Sequence, residues 1–195
     1  MLFPPTIHTD RLRLDRLSTD TVDPLSLYRI CATDQGIEDV TRYVTWDPHE
    51  HPHETLTFIR EAEESWDAGT DAVYVIRPDD DPDATAGCTA LHVDWELDRA
   101  TLGLWLRKRY WGRGYSGERA AALLELAFAR LDLGIVAVSH HVDNENSRRA
   151  IEKYVAAHGG HREGTLRNQL AYGDRVVDEV RYSISAAEYR AATRD

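Results

Sequence analysis

This chain of 195 residues has few cysteines, few lysines and no long apolar run. Its two cysteines, Cys31 and Cys88, are too few for a disulfide framework and too far apart in sequence for a zinc knuckle. The absence of any run of about 18 apolar residues excludes a helix that spans a bilayer. The first residues lack the basic-then-apolar pattern of a secretory signal, so we expect a cytoplasmic protein with no membrane partner.

Lysine is nearly missing although the chain is highly charged. Lys108 and Lys153 are the only lysines among 23 basic residues, and 34 acidic residues bring the formal net charge to −11. A surface rich in aspartate and poor in lysine stays hydrated in molar salt, which predicts a halophilic host; an ordinary acidic protein is the alternative. Direct nucleic-acid binding is not expected, because it needs clustered cations.

Apolar periodicity divides the chain into elements without a linker or an internal repeat. Strands come first, and strands alternating with helices follow, which indicates a mixed α/β sheet in one domain, residues 1–195. The predicted helices cover 20–33, 54–68, the segment after Ser116 and 145–157. The predicted strands cover 11–17, 71–77, 85–95, 99–106, 134–141, 161–172 and 175–184.

Two glycines one residue apart, Gly112 and Gly114, form the most informative pattern. They follow an apolar strand and precede an amphipathic helix, for which Ser116 is the predicted N-cap. Glycine allows a positive φ, so a turn of exposed backbone N–H groups can hold a phosphate at the positive end of the helix dipole. The spacing excludes the Walker and dinucleotide loops. From spacing alone, a plain tight turn remains the alternative.

Residues 109–114, Arg-Tyr-Trp-Gly-Arg-Gly, fit the [QR]xxGx[GA] signature of the GCN5-related N-acetyltransferases (GNAT). Residues 144–147, Asn-Glu-Asn-Ser, match the NxxS motif of the RimJ/RimL-like branch, which acetylates ribosomal-protein N-termini. Segments 9–14, 162–168 and 178–184 resemble the opening strand, a late strand motif and the last strand of that branch. The resemblance therefore covers nearly the whole chain in the right order.

The resemblance implies a GNAT-like acyl-CoA N-acyltransferase fold, whose central mixed β-sheet splays apart at an acetyl-CoA site and is flanked by helices. The backbone of Leu106 and Arg107 would pair with the pantetheine arm, and the N–H groups of the glycine turn would hold the pyrophosphate. The implied cofactor-binding residues are Leu106, Arg107, Arg109, Gly112, Arg113, Gly114, Tyr115, Ser116, Asn144 and Ser147. Arg109 either adds positive charge to the cofactor site or is an ordinary exposed arginine. Gly117 stands where the branch usually has threonine, which removes a hydroxyl near the phosphates.

Ser147 is the best candidate for the group that protonates the leaving thiolate. If Asn144 caps a helix, Ser147, Ile151 and Tyr154 share one face that is otherwise apolar. The alternative is a serine hydroxyl bonded to a nearby backbone carbonyl. Tyr154 is a second candidate acid, ranked behind Ser147 because a four-residue expansion displaces the family's turn glycine; core packing is its alternative. Asn144 only caps the helix or, by resemblance, also contacts the cofactor arm.

The general base stays open at this stage. His92 and Glu96 lie near the end of a central strand, and His140 and His141 end the strand before the Ser147 helix. A histidine titrates in the useful range, although each of these residues could equally be structural or exposed. A protein α-amine, with a pKa of about 7.7–8.0, loses its proton at pH 7 for only about 1 kcal/mol, whereas a lysine costs roughly 4.6 kcal/mol. An α-amine could therefore react with a weak base or a water relay.

The aromatic residues Tyr43, Trp46 and Trp66 could wall an acceptor pocket or simply pack locally. The cluster His49–His53 fits no common zinc spacing, so we expect a solvated loop and no metal site. The function that follows is direct acetyl transfer from acetyl-CoA to a primary amine, most plausibly a protein N-terminus, by a monomer or a homodimer. A small-molecule amine acetyltransferase (for a polyamine, amino acid or antibiotic) and a non-catalytic CoA-binding module are the alternatives.

Overall fold

The computed structural model describes residues 2–172 and 175–194. The strands are β1 Thr6–His8, β2 Leu12–Arg16, β3 Asp71–Pro78, β4 Gly87–Asp94, β5 Arg99–Leu106, β6 Ile135–His141, β7 His161–Tyr172 and β8 Arg175–Ser185. The helices are α1 Pro24–Thr33, α2 Ile37–Thr41, α3 Pro52–Ala68, α4 Tyr115–Glu125, α5 Glu145–Ala157 and α6 Ala186–Ala192. A 3₁₀ turn, Lys108–Tyr110, precedes the glycine turn, and a π-helical turn, Leu126–Arg130, extends α4.

The strands form one mixed sheet in the order β1-β2-β3-β4-β5-β6-β8-β7. Every neighbouring pair is antiparallel except β5 and β6, which α4 connects as a crossover. These two strands pair only from Arg99–Thr101 to residues 135–137, so their remaining lengths diverge. The mixed α/β sheet and its splay at the crossover are therefore confirmed.

Helices cover both faces of the sheet. Leu91 and Val93 of β4 face a core that also holds buried residues of α4 and α5, such as Leu123 and Ile151. Cys88, on the same strand, faces a second core that contains residues of α1 and α3. The alternation of side chains along β4 thus separates the two layers. None of the helices within the described ranges is long and apolar enough to cross a membrane.

Helix boundaries differ from the sequence prediction where a capping side chain fixes the first turn. The helix predicted from residue 20 begins at Pro24, because the carboxylate of Asp23 accepts a bond from the Ser26 N–H at 2.8 Å. The helix predicted from residue 54 begins at Pro52, where the His51 N–H donates to Glu54 at 3.1 Å. The predicted loop at His49–His53 is therefore partly helical. Three short elements, β1, α2 and α6, were not predicted.

Candidate active site

A cavity of about 1460 Å³ opens where β5 and β6 diverge. Leu102 and Leu104 line it from β5, and Val138 and Ser139 line it from β6. The glycine turn closes one end, and α5 contributes residues along one side. Beyond Thr101, β5 has no partner on its β6 side, so this edge offers backbone hydrogen-bonding groups to an extended ligand.

The glycine turn presents unpaired N–H groups to this cavity. Gly112 and Gly114 have φ values of 75° and 82°, which residues with a side chain rarely adopt. The backbone N–H groups of residues 112–114 have no hydrogen-bond partner within the described part of the chain. Those of the first helical residues, 115 and 116, are unpaired by the geometry of any helix start. A diphosphate fits such a set of donors at a helix N-terminus.

The prediction that Ser116 caps this helix is wrong. Gly114, in the left-handed conformation, is the N-cap, and no side chain caps the helix. Its carbonyl oxygen accepts from the N–H groups of Gly117 and Glu118, at 3.1 and 3.2 Å. Because the turn ends at a glycine, Ser116 falls inside the helix. Its side chain lines the cavity instead.

Aromatic and arginine side chains brace the glycine turn. Tyr110 and Tyr115 are buried and stack with centroids 6.1 Å apart. The guanidinium groups of Arg109 and Arg113 lie over the Tyr110 ring at 4.9 and 5.1 Å. Arg11 donates to the Arg113 carbonyl oxygen at 3.1 Å. The side chain of Tyr115 thus supports the turn.

Arg107 has a structural role that the sequence did not suggest. Its Nε donates to Asp34 at 2.8 Å and its Nη1 donates to the Thr85 carbonyl at 3.0 Å. Its backbone N–H already donates to Ala86 at 2.9 Å, so the sheet uses the group assigned to the pantetheine arm. The Arg107 hydrogen bond holds the pKa of Asp34 below its ordinary value. The Leu106 carbonyl is also engaged, by the indole N–H of Trp111 at 2.8 Å.

Asn144 and Ser147 meet at the start of α5, on the wall of the cavity. Asn144 caps the helix, since its Oδ1 accepts the Ser147 backbone N–H at 3.1 Å. The Ser147 hydroxyl makes no hydrogen bond among the described residues, although the nearby residues Ile151 and Tyr154 are buried. The predicted inward-facing surface of α5 is thus present, and Ser147 lies at the end of this surface that lines the cavity.

A buried arginine, which the sequence analysis missed, lies beside Tyr154. Arg119 of α4 is 2% exposed and its guanidinium lies 5.7 Å from the Tyr154 ring. Arg119 Nε and Nη1 and the Tyr154 hydroxyl have no hydrogen-bond partner among the described residues. Burial raises the pKa of Tyr154 and lowers that of Arg119. A single arginine in an amphipathic helix gives no sequence signal, because such residues usually face solvent.

The four candidate bases lie in different surroundings. His92 projects from β4 with Nδ1 2.7 Å from a carboxylate oxygen of Asp71. Glu96 lies in the exposed β4–β5 turn, outside the cavity lining. His140 is buried on the α5 side, stacked 5.7 Å from Tyr182. His141 accepts the Asp143 backbone N–H at Nδ1, at 3.1 Å. The structure therefore does not bring these four residues together.

The opposite face of the sheet carries part of the predicted aromatic wall. Tyr43 lines the cavity and lies 5.0 Å from the His141 ring, and Trp46 contacts Trp105 at 5.5 Å. Trp66 instead packs in the core, 5.3 Å from Tyr74. Glu179 is paired in register with His141, and burial raises its pKa. Nothing in the local sequence of β8 singled out Glu179.

Known proteins resemble this chain along most of its length. Residues 11–154 match the family described as Acetyltransferase (GNAT) domain. The N-acetyltransferase p20 of Bacillus licheniformis, named as uncharacterized, is 22% identical over 184 residues, covering 94% of this chain and 98% of that protein. YdaF of Bacillus subtilis (strain 168), whose name provisionally describes a ribosomal N-acetyltransferase, is 32% identical over 104 residues, 53% of this chain and 55% of that protein. Mycobacterium smegmatis RimJ, solved with CoA-disulfide, superimposes with a TM-score of 0.79 at 17% identity, covering 99% of this chain and 97% of that one.

The family match includes the strand, glycine turn and helix that build one end of the cleft, and it reaches Tyr154 in α5. The splayed strands and the unpaired N–H groups of the turn suit a long ligand with a diphosphate. The chain therefore belongs to the GNAT family of N-acetyltransferases, and acetyl-CoA is its co-substrate.

Proposed function

We propose that this enzyme acetylates the N-terminal α-amine of a protein, of the ribosomal-protein type, by direct attack of the amine while both substrates are bound. The observation that carries the proposal is the cleft between β5 and β6, which is open towards the sheet face of Tyr43 and Trp105. An extended polypeptide end can approach such an open face. The relative named as a ribosomal N-acetyltransferase supports the same acceptor class.

Each part of the cleft has a task in this proposal. The N–H groups of Gly112, Arg113, Gly114 and Ser116 bind the diphosphate. The free edge of β5 next to Leu104 pairs with the pantetheine arm. The Ser147 hydroxyl, on the cavity wall and without another partner among the described residues, donates a proton to the leaving sulfur. Asn144 orients that serine by capping its helix.

An α-amine is the acceptor that makes the smallest demand on the protein. Deprotonation at pH 7 costs about 1 kcal/mol for an α-amine and roughly 4.6 kcal/mol for a lysine side chain. Among the described residues, the acidic ones that line the cavity are four carboxylates, Asp10, Asp39, Glu118 and Glu125. Two of them are already paired, Asp39 with Lys108 and Glu118 with Arg11. A carboxylate is too weak a base to take a proton from lysine at neutral pH. This favours an α-amine over a lysine ε-amine.

The test is a panel of acceptors incubated with acetyl-CoA, in which release of the free CoA thiol is followed. Peptides with ribosomal-protein N-termini are compared with the same peptides blocked at the N-terminus, and with polyamines, amino acids and an aminoglycoside. We expect thiol release with the free peptides and none with the blocked ones. Release with the small amines alone would overturn the proposal in favour of a small-molecule acetyltransferase.

We also propose that the enzyme works in concentrated salt. The formal net charge of −11 destabilises the folded chain by self-repulsion at low ionic strength, and the two lysines leave the surface to aspartate, glutamate and arginine. Salt at about 2 M reduces the Debye length to a few ångströms and screens that repulsion. The midpoint of thermal unfolding should rise between about 0.1 M and 2 M KCl; a fall would contradict the proposal.

A further inference from the structure

A carboxylate on β3 fixes the orientation and the tautomer of His92. The distance from His92 Nδ1 to Asp71 Oδ1 is 2.7 Å. A carboxylate can only accept a hydrogen bond, so the hydrogen is on Nδ1. Nε2 of the neutral ring therefore carries the free lone pair. The hydrogen bond from His92 is the main reason why the pKa of Asp71 lies below its ordinary value, and the Ser65 hydroxyl of α3 contributes less.

The free nitrogen of this ring lies over the point where the sheet opens. His92 pairs in register with Thr101, which is also the last residue of β5 to pair with β6. Gly103 is two residues further on, in the diverging part of β5. A Cβ built on Gly103 would lie 3.2 Å from His92 Nε2, so the imidazole extends along the sheet face from Thr101 to Gly103.

The face of β5 that carries Gly103 reaches the cavity at its next residue. Trp105, two residues further along this face, lines the cavity, as do Tyr43 and, on the facing strand, Ser139. His92 and Gly103 border this part of the lining without belonging to it. The His92 side chain is 52% exposed, so an acceptor can reach it from solvent. The absence of a side chain at Gly103 leaves the space beside Nε2 open.

We propose that His92 is the general base of the acetyl transfer and that Asp71 is its positioning residue. This inference rests on the proposed function, because it assigns the group that prepares the acceptor amine. Nε2 of His92 takes one proton from the acceptor ammonium, and the imidazolium later releases it to solvent. The neutral amine forms the new C–N bond while the C–S bond of the thioester breaks. The Ser147 hydroxyl donates its proton to the leaving sulfur and receives the second amine proton in its place, so CoA departs as a thiol and the serine is restored.

The surroundings of His92 favour this role over the other candidate bases. Asp71 faces the imidazole from β3, while Ala90 and Gly103 face it from β4 and β5 without charge. His141 differs, because its Nδ1 lone pair already accepts the Asp143 N–H. The acidic Glu179 lies next to His141 in the sheet, on the far side of the splay from His92.

The experiment compares three substitutions in the whole enzyme with one matched control. His92→Gln should lower kcat about 100-fold and leave the Kd for CoA within twofold, because a general base contributes to the chemical step and not to cofactor binding. Asp71→Asn should lower kcat about 10-fold. Gly103→Ala should also lower kcat, because the new methyl group covers Nε2. Glu96→Gln, an exposed change at the same end of β4, should leave both values unchanged.

Three readouts separate catalysis from a structural role. Ring ¹⁵N spectra of the enzyme without substrates should show the hydrogen of His92 on Nδ1, and Asp71→Asn should move it towards Nε2. Added imidazole should restore part of the rate of a His92→Ala variant, since the site is half exposed, and should not restore a variant of Ser147. In His92→Gln, the fall of the rate at acidic pH, which is the acidic limb of the pH–rate profile, should also become less steep.

The outcomes distinguish this inference from the proposed function. If the wild-type enzyme acetylates peptides and His92→Gln keeps its rate, the inference is overturned and the proposed function stands. If Glu179→Gln, and not His92→Gln, removes the acidic limb, the inference is also overturned. If only small amines are acetylated and His92→Gln abolishes that reaction, the proposed function is overturned and the inference is supported.

Discussion

The two ends of the cleft are built from different parts of the chain. At the phosphate end, one continuous segment around Gly112 and Gly114 supplies a row of backbone N–H groups. On the face that we propose for the acceptor, Tyr43 lines the cavity and the Asp71–His92 pair lies beside Gly103, and these residues come from segments far apart in sequence. A backbone site needs a local conformation, whereas a side-chain site needs strand register and long-range packing.

This difference explains what substitutions should do. A change at the phosphate end should alter cofactor binding, because every donor there would contact the same ligand in the proposed complex. A change towards the reacting end should alter turnover, because those groups act only in the chemical step. The following substitutions test whether the two ends separate in this way.

Ser147→Ala should have the largest effect, a fall in kcat of about 100-fold, since it removes the proposed proton donor. The Kd for CoA should stay within about twofold, because the Asn144 cap bonds the backbone N–H and survives the change. Steady-state kinetics and calorimetry measure the two values. A kcat close to that of the wild type would exclude Ser147 as the donor.

Gly114→Val should weaken CoA binding about 30-fold, and the maximal rate at saturating acetyl-CoA should change much less. Valine at φ 82° is strained by roughly 1–3 kcal/mol, and its side chain would also meet the Arg11 guanidinium. Calorimetry gives the Kd. The matched control is Gly164→Val on β7, where φ is not positive and an added Cβ meets nothing within 4 Å. Equal losses in the two variants would contradict the backbone origin of the site.

Asp34→Asn tests the main side-chain contact at the phosphate end, and should lower the free energy of unfolding by roughly 2 kcal/mol at pH 7. It leaves the largely buried Arg107 without its carboxylate. The pKa of Asp34 is lowered in the folded protein, so its stabilisation is complete above the ordinary value of about 3.9 and is lost as the pH falls through the folded value. The difference from the wild type should therefore vanish in acid.

Denaturant unfolding at several pH values measures this difference. Asp39→Asn is the matched control, because its pair with Lys108 is exposed on both sides and should contribute less than about 1 kcal/mol. An equally small effect of Asp34→Asn would mean that the phosphate end depends on its backbone alone, and would strengthen the contrast between the two ends.

Gly117→Thr should have the smallest effect, a gain of about twofold to threefold in affinity for CoA. Threonine suits a helix better than glycine by a few tenths of a kcal/mol, and its hydroxyl returns to the first turn. There is room for it, since an added Cβ would lie 3.9 Å from the Tyr154 Cβ. Weaker binding would show that the open space at Gly117 is needed.

The sequence predicted the elements around the glycine turn well and the side-chain partners on the other face of the sheet poorly. The strand, glycine turn and helix were found from local spacing, as was the Asn144 cap, which the structure confirms. The cap at Ser116 was wrong because the left-handed turn already ends at Gly114, so the helix begins two residues earlier than predicted. Asp71 and Arg119 were missed, because their importance comes from the partners they meet, and neither residue type is unusual in its own segment.

The amino-acid sequence by itself determined the order of the elements, the family and the glycine turn that we propose for the diphosphate, because these depend on patterns within short segments of the chain. Only the tertiary structure decided which histidine carries an accessible lone pair. His92 and His141 both lie near the end of a strand in the sequence. His92 donates through Nδ1 to the Asp71 carboxylate on the next strand, whereas Nδ1 of His141 accepts the backbone N–H of Asp143. Strand register brings Asp71 to the His92 ring, whereas the N–H that His141 accepts comes from the turn two residues further along the chain. In each case the partner fixes the tautomer.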